Sequence, residues 1–152
     1  MATLVRIIAV AALFGITADA GADEQRARVN YMIHCQGCHL PEAAGYRGKV
    51  PRMRDFVGYF LHSREGREFI IRVPGVSTSS LGNDQVTELM NWLLLTYSAE
   101  QLPQNFVPFT VDEVAALRPI PEPDPETTRK GILERIAAEV PALAQELKTE
   151  IH

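Results

Sequence analysis

The sequence predicts an all-α protein, a small helical domain followed by a helical extension. Three observations carry that prediction. Residues 84–97 (DQVTELMNWLLLTY) set Val86, Leu89, Met90, Leu93 and Tyr97 three or four apart, which is the period of one helix face. Ile132, Ile136, Val140, Leu143 and Leu147 repeat the pattern at spacings of 4, 4, 3 and 4. Near the start, Ala27, Tyr31 and Cys35 follow one another at intervals of four and share a helical face. The chain has no internal repeat and no low-complexity tract.

Its first stretch is read as a leader. Residues 1–6 are short and basic, residues 7–16 (IIAVAALFGI) are apolar, and Ala18-Asp19-Ala20 fits a small-x-small cleavage site. The apolar run is too short to span a bilayer as a helix. Residues 1–22 are therefore expected to be a signal peptide, leaving roughly 130 residues, enough for one core. No later stretch is long and apolar enough for a span, so an exported, soluble, unanchored protein is expected. The formal charge is -4. Loss of residues 1–20 removes Arg6 and Asp19 together and leaves it unchanged. This mild acidity argues against nucleic acid as a partner and permits docking on a basic patch of a protein.

Residues 24–38 are predicted to form a helix running into Cys35-Gln36-Gly37-Cys38-His39. Two thiols three residues apart lie together on a helical turn. There they can bond to the two vinyl groups of one haem, with the next imidazole under the iron. A thioredoxin-like pair would not need His39. A zinc site needs four ligands, and these are the only Cys, while His34, His62 and His152 form no ligand cluster. The motif points to one covalent haem c, with thioethers at Cys35 and Cys38 and His39 as the proximal iron ligand. Both Cys are then used, and no disulfide is expected.

Residues 40–53 (LPEAAGYRGKVPRM) read as a loop. Residues 55–72 read as two short helices, or one interrupted near Gly66, stopped by Val73-Pro74-Gly75. A polar loop, 76–82, follows. Asn83 is the expected N-cap of the 84–97 helix, and Asp84 suits the positive end of its dipole.

With Ala27 and Tyr31 ahead of the C-x-x-C-H motif and Trp92-Leu93 in the later helix, residues 24–98 resemble class I cytochrome c. The resemblance implies a small helical domain wrapped around one haem, its first helix crossing its last where Trp92 meets Ala27. Glycine is the usual small residue there, so Ala27 departs from the pattern. It also implies that Pro51, twelve residues past His39, offers its carbonyl to the His39 ring N–H. That bond would fix the tautomer and raise the ligand's basicity. Met53 would pack on the proximal haem face. The family's distal Met, commonly in a Met-Pro pair, should fall at about 73–75, where this chain has Val73-Pro74. No Met or His occurs from 63 to 89. Four alternatives stay open: Met53, although the resemblance puts it on the proximal side; His62, if its helix turns toward the distal face; Met90, if the last helix is rotated; or no protein ligand at all.

An extension follows. Residues 99–109, with Pro103 and Pro108, read as a linker. Thr110-Val111-Asp112-Glu113 is a capping-box pattern for a short helix ended by Pro119. PIPEPDP (119–125) is a stiff segment. Asp124-Pro125 reads as an N-cap with proline at the first helical position, and Pro141 should kink or split the helix that follows. The division is thus 23–98 for the haem domain, 99–125 for a Pro-rich linker with a short helix, and 126–152 for an amphipathic helix. The stripe either packs back on the haem domain or docks a partner subunit through 110–148. Lying beyond the resemblance, the extension is expected to be dispensable for haem binding.

These readings converge on an exported, periplasmic monohaem cytochrome carrying single electrons between protein redox partners. It acts alone or as the haem subunit of an oxidoreductase, a carrier more than an enzyme. The alternative is a five-coordinate haem protein that binds a small ligand or works as a peroxidase. Against peroxidase chemistry, VSTSSLG (76–82) offers no His or Arg, only ordinary loop hydroxyls at Ser77, Thr78, Ser79 and Ser80. No nucleophile–base pair, phosphate loop or second metal cluster is present.

Overall fold

The computed structural model describes residues 19–150. The leader read at 1–22 lies outside them except for its last residues. Among the described residues the elements are helices, and the one β feature is an isolated bridge between Tyr46 and Val50. No described helix is long and apolar enough to cross a membrane.

Helix α1 (Asp19–His34) buries Ala27 and Tyr31, four apart, on one face. It packs most extensively on α5 (Asn83–Tyr97). The first helix differs from the expected 24–38 span. It starts earlier and breaks at Cys35, which leads into the single turn α2 (Gln36–His39). Hydrogen bonds cross the break: the Cys35 N–H donates to the Tyr31 carbonyl at 2.9 Å, and the His39 N–H to the Cys35 carbonyl at 2.9 Å. The motif thus stacks directly on α1.

A 3-10 helix (Val57–His62) and α3 (Arg64–Arg72) fill the 55–72 region. The interruption is at Ser63, not Gly66. Ser63 is extended, and its hydroxyl accepts from the Gly66 N–H at 3.0 Å. Gly66 is inside the helix because a Cβ there would collide with the Phe60 carbonyl. Val73-Pro74-Gly75 does more than stop α3. Pro74 opens the turn α4 (Pro74–Ser77), since its missing N–H is no loss at a first helical position. Gly82, not Asn83, caps α5, and its N–H donates to Gln85 Oε1 at 3.0 Å. The Asn83 side chain is engaged elsewhere, accepting from Arg118 at 2.8 Å.

The extension completes the core, the first of the two roles expected of its apolar stripe. Helix α6 (Val111–Leu117), α7 (Pro125–Ala137) and α8 (Pro141–Glu150) contribute Val114, Ile132, Leu133, Ile136 and Leu143 to the buried cluster that also holds Tyr31, Phe56, Ile71, Leu93 and Leu94. The apolar stripe therefore packs back on the domain. Thr110 and Asp124 cap their helices through the N–H groups of Glu113 and Thr127, and the break falls ahead of Pro141. Polar clips reinforce the packing. Arg67 pairs with both Glu113 oxygens at 2.6 and 2.7 Å and lies 4.1 Å over the Phe109 ring. The Asn91 amide makes two hydrogen bonds with the Phe109 backbone, at 3.0 and 2.8 Å. Arg118 donates to the Leu81 and Ser79 carbonyls at 2.8 and 2.7 Å. The extension lies over core side chains that would otherwise face water.

Candidate haem-attachment site

Cys38 and His39 lie on α2, and Cys35 is its N-cap. Both thiols are free; Cys35 is half-buried and Cys38 exposed. Burial, with the neighbouring Cys38 adding to it, pushes the Cys35 thiol up to about 11. His39 is half-buried, and desolvation holds its ring below the ordinary histidine range, partly offset by a bond to Pro51. That bond is the one expected of the loop: His39 Nδ1 lies 3.2 Å from the Pro51 carbonyl. A carbonyl can only accept, so Nδ1 carries the hydrogen, and in the neutral ring this leaves the lone pair on Nε2.

The loop is shaped to make this contact. Leu40 ends α2 with φ 65 and ψ 164, a positive-φ extended conformation that a side chain rarely adopts. The Tyr31 hydroxyl donates to the Leu40 carbonyl at 2.6 Å, and the Tyr97 hydroxyl to the Pro41 carbonyl at 3.0 Å. Burial pushes the Tyr31 phenol up to about 12, so it stays a donor. The Gly45 N–H donates to the His39 carbonyl at 3.0 Å. Gly45 has φ +65, and a Cβ there would stand 2.7 Å from the Pro51 carbonyl and closer still to that of Val50. Only glycine lets the two arms of the loop close. The Met53 N–H, at 2.8 Å from the Ala43 carbonyl, ties down the far arm. Behind the motif, Tyr31, Trp92 and Tyr97 form a ring triangle with centroids 5.5 to 5.8 Å apart.

The distal candidates are placed as follows. His62 Nε2 donates to the Gln101 carbonyl, 2.9 Å away, with its ring against Tyr59. Met90 is buried in the α5 core. Met53 is half-buried in the Pro51 loop, packed on the core. Val73, half-buried, precedes α4, and the Ser77 hydroxyl at the end of that turn is buried without a partner. The structure brings together Cys35, Cys38, His39 and Pro51; among the described residues no further Met or His is joined to them.

Sequence reading missed Gly45, Leu40 and the Tyr97 hydroxyl. Gly45 had a signal, a glycine midway between His39 and Pro51. The Tyr97 contact had none, since it spans 56 residues.

Two free thiols on one turn and a neutral imidazole with its Nδ1 held by a carbonyl are the donor set that a c-type haem takes. Among the described residues no group of three or more His, Cys, Asp or Glu side chains could hold a bare metal ion. Two surface clefts of about 400 Å³ lie away from the motif. One is between α1 and α5, lined by residues including Glu24, Glu88 and Leu95; the other is lined by residues including Leu61, Arg67 and Phe106. Compared with protein-family models, curated proteins and solved structures, the chain matches none.

Proposed function

We propose that this chain is an exported monohaem cytochrome of the class I type that passes single electrons between protein redox partners in the periplasm. One observation supports it above the others: the 3.2 Å contact of His39 Nδ1 with Pro51, on the turn that also presents Cys35 and Cys38. A bound haem c would supply a one-electron Fe(III)/Fe(II) couple. Cys35 and Cys38 would hold it covalently, His39 Nε2 would bind the iron, and Pro51 would keep the imidazole in the right tautomer and make it a stronger donor. Tyr31 and Tyr97 hold the Leu40-Pro41 exit, so the turn does not unwind when the imidazole is pulled on.

The test is extraction of the haem-loaded chain with acid and organic solvent. Haem is expected to stay with the wild type and with each single variant, Cys35→Ala and Cys38→Ala, and to leave the double variant. Free extraction from wild type would sink the proposal. His39→Ala is expected to change the optical spectrum in both redox states.

A second reading, a five-coordinate haem protein, is favoured by one observation: each distal candidate is engaged elsewhere, Met90 in the core, His62 on Gln101, and Met53 in the proximal loop. Under it, ferric protein is high-spin and ferrous protein binds CO. A near-infrared Met–iron band in wild type that disappears in Met53→Ala or Met90→Ala would refute it. A low-spin spectrum abolished by His62→Ala would do so as well.

A further inference from the structure

The extension does more than cover the core, for it also touches the segment next to Pro51. The Arg52 guanidinium donates to Glu146 Oε2 on α8 at 2.6 Å. The same guanidinium lies 5.0 Å from the Phe56 ring centroid, and Arg129 of α7 lies 5.1 Å from it. Phe56 is buried, and its N–H and that of Val57 donate to the Met53 carbonyl at 3.2 and 2.9 Å. The 52–57 stretch is thus held from α7 and α8. The peptide just before it carries the carbonyl that His39 Nδ1 meets.

We infer that Glu146 and Arg52 are positioning residues for the axial histidine: the C-terminal helix sets the place of the Pro51 carbonyl and, through it, the electron-donating strength of His39. This rests on the haem reading given above. A residue that orients a ligand's hydrogen-bond acceptor tunes the iron without touching it. A firm Nδ1–H···O bond makes the imidazole a better donor and favours Fe(III). A loosened one favours Fe(II) and raises the potential. Both residues are part-exposed, and such an ion pair adds little to stability, so the potential is the readout.

The signs separate positioning from plain charge. By charge alone, Glu146→Gln should raise the potential and Arg52→Gln should lower it. Positioning raises it in both. The expected result in the haem-loaded full chain is a two-fold or larger shift of the redox equilibrium toward Fe(II) in each variant, about 18 mV at 59 mV per tenfold for one electron. The exchanged pair, Arg52→Glu with Glu146→Arg, should return most of it. Shifts of opposite sign, or no shift in either variant, would overturn the inference. A second arm needs no haem. Amide exchange at Gly45 and Met53, whose N–H groups close the loop, should quicken in both single variants, and unchanged exchange would overturn the inference as well. If wild type holds no covalent haem, the functional proposal falls, while this arm still decides whether α8 positions the loop.

Discussion

Leu40 and Gly45 share a φ of 65°, yet they answer to different constraints. Leu40, with φ 65 and ψ 164, carries a backbone strain of about 1–3 kcal/mol, held in place by the Tyr31 hydroxyl on its carbonyl. Leu40→Gly should relieve that strain and leave the carbonyl contact, so its urea midpoint is expected to equal or exceed that of wild type. Gly45→Ala adds both strain and a collision with Pro51 and Val50. It should cost roughly 1–3 kcal/mol and lower haem incorporation, which a haem stain and a melting curve would show together. The thiols give a third test. In the haem-free chain, exposed Cys38 should alkylate before half-buried Cys35, whose thiol is pushed from 9.0 up to about 11. Peptide mass mapping after brief treatment checks the order. The same groups set a pH window. Cys35 holds its proton more tightly when folded, so its contribution is intact below pH 9.0 and fades as pH rises through about 11. His39 is shifted down from 6.5, so its contribution is present above that value and fades as pH falls below it. Urea midpoints of the haem-free chain should therefore drop on both sides of the window.

At the scale of elements, the extension supplies buried side chains to the shared core. Val114, Ile132, Leu133 and Leu143 are at most 2% exposed. Burying four such side chains contributes roughly 6–12 kcal/mol as an upper estimate, as much as the net stability of a typical domain. A chain ended at Ser98 is expected to aggregate or fail to hold haem when expressed with the attachment machinery; retention of the wild-type spectrum would contradict this. The same contrast explains what could be read in advance. Caps at Thr110 and Asp124, the Pro141 break and the α5 face were legible because each depends on residues within one helical turn. Cys35, Cys38 and His39 stood out because their chemistry fixes their spacing, and the contact of His39 with Pro51 was implied by the resemblance to class I cytochrome c. Gly66 inside a helix, Asn83 drawn off by Arg118, and Arg67 reaching Glu113 were not, since each depends on a partner brought close only by the fold. Val73 offers a constructive check at this scale. If α4 stands where the resemblance puts a distal ligand, Val73→Met should create the near-infrared Met–iron band.

Across the whole molecule, charge is unevenly distributed. The chain sums to -4, yet residues 25–54, which hold the motif and its loop, carry six Lys or Arg against one Glu. Arg28, Arg47 and Lys49 are exposed there, as are Met32, Ile33 and Tyr46. Arg26, Arg52 and Arg54 are paired with Glu88, Glu146 and Glu42, while exposed Arg28, Arg47 and Lys49 would suit an acidic partner surface near the motif. Reduction of the haem-loaded protein by a small anionic donor should slow with added salt and with Arg47→Glu plus Lys49→Glu, while a neutral donor shows neither effect. Equal salt dependence for both donors would count against a basic approach face. Trp92, the chain's one tryptophan, stands between Tyr31 and Tyr97 where α1 crosses α5. Its fluorescence comes from that seam alone. Energy absorbed by either tyrosine passes to it, and a porphyrin attached one helical turn beyond Tyr31 would darken it. Unfolding would part the helices and bring the emission back, so a single wavelength follows both maturation and loss of the native seam.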